Sequence, residues 1–140
     1  MRKSALSLSL ALLCLLTPSC NFLRKQSSNN NTAVVVEESF PEDSAEYRGQ
    51  QVFIGEGRCS SCHSLAPNTT IVGPTLANIA TTAATRIPGL SAEQYLLQSI
   101  LLPDAYKPAG FENTQMDSSL AKQLSSQQVD DVIRYLLSLE

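Results

Sequence analysis

Residues 44–140 predict a small all-α domain of about three principal helices and irregular loops, on three observations. Two capping boxes, Ser91-Ala92-Glu93-Gln94 and Ser125-Ser126-Gln127-Gln128, place a serine three residues before a glutamine, so side chain and backbone satisfy each other's free groups at a helix start. Val129, Val132, Ile133, Leu136 and Leu137 recur at the three-and-four spacing of one buried helical face. Between these signals lie turn formers, and hardly any stretch alternates as a strand would.

In chain order, Ser44 to Arg58 reads as the first helix. Gly49 and Phe53 lie four apart and so share a face, with Val52 beside them. A glycine on a helical face costs about 1 kcal/mol relative to alanine, and a close helix–helix approach is a sensible reason for one. Gly55 and Gly57 then loosen the chain. Residues 64–90 carry the turn formers Pro67-Asn68, Gly73-Pro74 and Pro88-Gly89. The Ser91 box opens a helix through about Leu102 that turns Tyr95, Leu96 and Ile100 toward the core, and Pro103 stops it. A loop with two prolines and Gly110 follows and delivers Met116, and the Ser125 box then opens the C-terminal helix.

The N-terminus has a different character. Met1-Arg2-Lys3 is a positive start, and Ala5 to Leu16 is an apolar run too short to span a bilayer, so residues 1–19 read as an export signal. Leu16-Thr17-Pro18-Ser19-Cys20 resembles the lipobox of bacterial lipoproteins, which implies a lipid on Cys20; plain cleavage or an uncleaved anchor are the other readings. Residues 20–43 then form a lipidated N-terminus and a flexible linker rich in Asn and Ser. Val34-Val35-Val36 is either a short strand or an apolar patch in that linker. As a coil, such a tether has a root-mean-square reach of about 25 Å. Asn21 after the cysteine leaves inner or outer membrane open.

The chemistry centres on Cys59-Ser60-Ser61-Cys62-His63, the attachment signature of a c-type haem. Two thiols on one turn of backbone can reach the two vinyl groups along one haem edge, while the adjacent imidazole ligates the iron. A structural zinc site wants four ligands, and a thioredoxin-like redox pair wants a strand before it; the surrounding sequence supplies neither. His63 is the only histidine of the 140 residues, so no second imidazole is on offer. With Cys59 and Cys62 in thioethers, Cys20 acylated and Cys14 removed with the signal, no thiol is left to oxidise outside the cell. The cofactor expected is therefore one covalent haem c. A domain of under 100 residues has a weak core by itself, so the form without haem is expected to be unfolded or molten.

Two residues bear on the iron. The carbonyl of Pro74 either accepts a hydrogen bond from the far nitrogen of His63, raising the basicity of the ligand, or belongs to an ordinary turn. Met116, 53 residues after His63, is either the sixth ligand or a core methionine; apart from Met1 it is the chain's only methionine. Arg86, Tyr95 and Tyr106 are candidates for the haem propionates by residue type.

Gly49, Phe53, Cys59 to His63, Gly73-Pro74-Thr75-Leu76, Met116 and Val132 to Leu136 together resemble the class I monohaem cytochrome c family, from about residue 44 to the end. The resemblance implies a first helix crossing the last, with Gly49 and Phe53 meeting the region of Tyr135. It also implies Pro74 as the acceptor for His63, and Met116 as the axial sulfur. Many members have proline directly after that methionine, whereas this chain has Asp117.

Such a centre exchanges single electrons and needs no small-molecule substrate, and no nucleophile or base constellation stands out, so the chain reads as an electron-transfer protein rather than an enzyme. Formal net charge is −3, and 44–140 holds 6 basic against 9 acidic side chains, which excludes the basic footprint of a nucleic-acid binder. The expected setting is the extracytoplasmic face of a bacterial membrane. There the protein would be a tethered carrier or a haem subunit of a respiratory or photosynthetic complex, with redox proteins as partners between quinol oxidation and a terminal acceptor. The alternative is a five-coordinate haem protein that binds or senses gases or has weak peroxidase activity.

Overall fold

In the computed structural model the described residues are 39–140. The export signal, the lipidation site at Cys20 and most of the linker, Val34 to Val36 included, lie outside them. Five α-helices make up the domain, and among the described residues there is no strand: α1 (Ala45–Ile54), α2 (Ile79–Arg86), α3 (Ala92–Leu101), α4 (Ser118–Ala121) and α5 (Ser126–Leu137). A short 3-10 turn over Cys59–Ser61 follows α1.

Both capping boxes form as expected. The Ser91 hydroxyl accepts from the Gln94 backbone at 3.2 Å while the Gln94 side chain accepts from the Ser91 N–H at 2.9 Å; Ser125 and Gln128 repeat the pair. Ser44 caps α1 by accepting from the Tyr47 N–H at 3.0 Å. The helix expected to reach Arg58 instead ends at Ile54. Gly57 N–H bonds back to the Val52 carbonyl, five residues earlier, at 2.9 Å, so the ladder widens and stops. Two helices, α2 and α4, fall where only turns and loop were expected. The α2 stretch Ile79-Ala80-Thr81-Thr82-Ala83-Ala84-Thr85-Arg86 holds three β-branched threonines, which lower helix propensity. Its entry residue Asn78 is left-handed (φ 56°) and makes no side-chain cap. Tertiary packing holds it instead: Ile79 and Ala83 are buried, and Ala80 N–H donates to the Leu139 carbonyl beyond α5.

The core is built where α1 crosses α5. A Cβ on Gly49 would run into the backbone carbonyl of Asp131 and stand 2.8 Å from the Tyr135 Cβ, so only glycine permits this approach. Phe53 meets Tyr135 edge to face at 5.5 Å, as the resemblance implied, and Phe40 also meets Tyr135 edge to face, at 6.0 Å. Phe40 lies in the segment expected as linker, so that segment's last residues pack on the domain.

The crossing also buries a charge. Asp131, 3% exposed, accepts from Arg48 Nε and Nη2, both at 2.9 Å, and from Gln127 Nε2 at 3.0 Å. These bonds, Arg48 foremost, hold its carboxyl below the usual carboxylate range against the opposing effect of burial. The other side of α5, Val132 and Leu136, faces a cavity shared with α3 and the loops.

Candidate functional site

The turn that carries the cysteines is fixed by its own backbone. Arg58 enters it in the left-handed region (φ 50°), after which Cys62 and His63 N–H groups both donate to the Cys59 carbonyl, at 3.1 and 2.9 Å. This closes 59–63 into one compact turn and sets Cys59, Cys62 and His63 on the wall of the same cavity. Neither cysteine is in a disulfide, and burial pushes the Cys59 thiol up from its usual pKa.

A second stretch of chain locks the imidazole. Val72 and Gly73 N–H groups donate to the Cys62 carbonyl, and Leu76 N–H donates to the Ser64 carbonyl at 2.8 Å, so residues 72–76 run along residues 62–64. His63 Nδ1 then lies 2.8 Å from the Pro74 carbonyl. A carbonyl only accepts, so Nδ1 carries the proton and Nε2 keeps the lone pair that a metal needs. Gly73 is buried against the ring, where an added Cβ would stand 2.5 Å from Cε1. Any side chain at that position would push the imidazole aside. The Gly73-Pro74 dipeptide was legible as a turn, but this steric role of Gly73 was not.

The loop after α3 brings Pro103, Tyr106, Pro108, Phe111, Thr114 and Met116 onto the wall of the same cavity. Met116, 39% exposed, sits at its margin. The next residue, Asp117, caps α4 by accepting from the Ser119 N–H at 2.9 Å. Hydrogen bonding from Ser119 holds the Asp117 carboxyl below its usual range, with Arg58 and Lys122 adding smaller attractions.

The cavity opens to solvent at one side, and its interior wall is apolar: Ile79, Leu96, Ile100, Leu124, Val132 and Leu136. Arg86, named above for a propionate, lines it with Nε buried and without a hydrogen-bond partner. An orphaned buried donor is costly unless something anionic or polar meets it. Tyr95 and Tyr106, the other two residues named, also line the cavity and pack edge to face at 5.8 Å. The residues present therefore suit a large flat apolar group with polar substituents at one edge, fastened by two thiols. A zinc reading has no such support: among the described residues no three of His, Cys, Asp and Glu gather to hold a metal ion.

An all-helical domain wrapped around such a cavity, with a cysteine pair and a locked imidazole on one wall, belongs to the class of proteins that hold a haem covalently. The family model described as Cytochrome c matches residues 47–140, and the chain belongs to the cytochrome c family. Its cofactor is covalently bound haem c, and the spacing of Cys59, Cys62 and His63 is the attachment spacing. Electron transfer is the general work of the family. No curated protein matches the chain.

Proposed function

We propose that the domain is a one-electron carrier whose haem iron takes His63 and Met116 as its two axial ligands. The observation that supports this most is that both residues line one apolar cavity, with the His63 ring held by Pro74 so that Nε2 is the free nitrogen. When bound, the group supplies a one-electron ferric/ferrous couple. His63 and Met116 would be the residues that hold the iron, and the thioether sulfur of Met116 would favour the ferrous state. The Pro74 carbonyl makes the imidazole a stronger donor and fixes its orientation. With both residues bound, a gas or a peroxide would have to displace Met116 to reach the iron.

The reading is tested on the purified holoprotein. The oxidised form should show the far-red sulfur-to-iron charge-transfer band, and the reduced form should bind carbon monoxide slowly and incompletely. Met116→Leu removes the band, opens the iron to carbon monoxide and lowers the reduction potential by on the order of 0.1 V, a modest part of the roughly 0.8 V that axial ligands span. Rapid, complete binding to the wild-type protein would instead establish a gas-binding or peroxidatic centre.

The setting we infer is the outer face of a bacterial membrane, with the domain tethered through a lipid on Cys20. The signal-like residues 1–19, the lipobox-like Leu16 to Cys20 and the polar linker support it. Among the described residues no helix is long and apolar enough to cross a membrane, so attachment through the described domain would need another device. A tether keeps the domain concentrated near membrane-bound donors and acceptors without a strongly charged docking face. This suits transfer from a quinol-oxidising complex toward a terminal acceptor, as a free carrier or as a fixed subunit. Cys20→Ala should release the protein from the membrane fraction; retention there would sink the lipid anchor.

A further inference from the structure

We propose that Asp117 is the positioning residue for Met116: its side chain anchors the methionine loop, and the cap it makes on α4 sets how often the sulfur leaves the iron. This rests on the axial role assigned to Met116 above.

The loop between α3 and α4 is tied down unevenly. Leu102 and Ala105, Pro108 and Phe111, and Phe111 and Thr114 are joined by backbone bonds at 2.9 to 3.0 Å, and Gly110 N–H reaches the Glu112 carboxylate at 3.0 Å. After Thr114 the ties stop: among the described residues, neither Gln115 nor Met116 has a backbone hydrogen bond. The first fixed point after Met116 is Asp117. There the side chain accepts from the Ser119 N–H at 2.9 Å, and the backbone carbonyl accepts from Leu120 N–H at 3.3 Å. One residue on, Ser118 is half-buried, and Ala121 of α4 is buried near α3. The methionine is thus one residue from an anchor on its C-terminal side and two from one on its N-terminal side.

The backbone at Asp117 (φ −72°) is one that proline also adopts, and its N–H makes no hydrogen bond among the described residues. A ring at this position would stiffen the chain by fixing φ. Asp117 stiffens it through a side-chain hydrogen bond instead, and it also starts a helix.

A sulfur held by a looser loop is absent from the iron for a larger fraction of time, and an external ligand that competes for that position then binds more tightly in proportion. Imidazole added to the oxidised holoprotein is such a probe. Asp117→Ala should tighten imidazole binding about fivefold, the equilibrium equivalent of one lost cap, and weaken the far-red band. Asp117→Asn, which caps equally well without a charge, should stay within about twofold of wild type. Ser44→Ala removes a comparable cap from α1, away from the cavity, and should lower stability while leaving imidazole affinity unchanged.

The proposal is overturned if Asp117→Ala binds imidazole as wild type does, if Asp117→Asn behaves like Asp117→Ala, or if Ser44→Ala tightens binding as much. A wild-type protein that lacks the far-red band overturns the Met116 assignment and this proposal together. An intact band with an unaffected Asp117→Ala overturns this one alone.

Discussion

The two sides of α5 are built on different principles. Toward α1 the helix meets a glycine, an edge-to-face aromatic pair and a buried carboxylate with its donors in place. Toward α3 and the loops it meets a wide apolar cavity with an orphaned guanidinium nitrogen on its wall and a methionine at its margin. The first side is complete as protein. The second is shaped to pack against a large apolar group, which would supply the contacts that the chain itself supplies on the first side. The difference teaches that one short domain can divide its stability, one half supplied by the chain and the other by the cofactor.

The largest test of that division is to prevent attachment. Replacing both Cys59 and Cys62 with alanine should leave a chain with near-native helix content and no fixed near-ultraviolet signal. In hydrogen exchange, residual protection should sit in α1 and α5, while 103–124 exchanges freely. Uniform protection, or protection strongest in the loop, would break the comparison.

Gly49→Ala attacks the other half. Its methyl group cannot be placed without moving α1 away from the Asp131 backbone, so a cost of about 3 kcal/mol is expected, at the upper end for overpacking. Thermal unfolding of the holoprotein measures it. A change below about 1 kcal/mol would show that the crossing is looser than the packing implies.

The smallest effect comes from Asp131. Its folded-state pKa is depressed, so the stability it contributes is present above the ordinary carboxylate value of about 3.9 and is lost as pH falls through the lower folded value. Asp131→Asn should therefore be less stable than wild type at neutral pH, and the two should converge as the solution is acidified below that value. A constant difference down to acid pH would separate the loss from the ion pair with Arg48.

How much of this was legible in the sequence depended on how local its cause is. The capping boxes at Ser91 and Ser125 were readable because both partners lie within four residues. The end of α1 and the existence of α2 were not: a backbone bond from Gly57 to Val52 ends the one, and contacts with α3 and α5 hold the other. Tyr95 and Leu96 are buried and Ile100, half-buried, packs against the same core, as their helical spacing implied. At the site, the cysteine turn was plain from spacing. Gly73 was missed because its role is a distance to a ring ten residues earlier, and Asp117 was noticed only as a departure from proline.

By itself the sequence determined the covalent chemistry, the helical class and the buried face of α5, all of which follow from residue types at short, periodic separations. Tertiary structure alone decided which imidazole nitrogen is left free, why Gly49 and Gly73 admit no side chain, and how Arg48 reaches Asp131 across 83 residues. The physical reason is range. Spacing along the chain specifies what one turn of backbone can do, while close packing and buried charge depend on surfaces that meet only after the chain has folded.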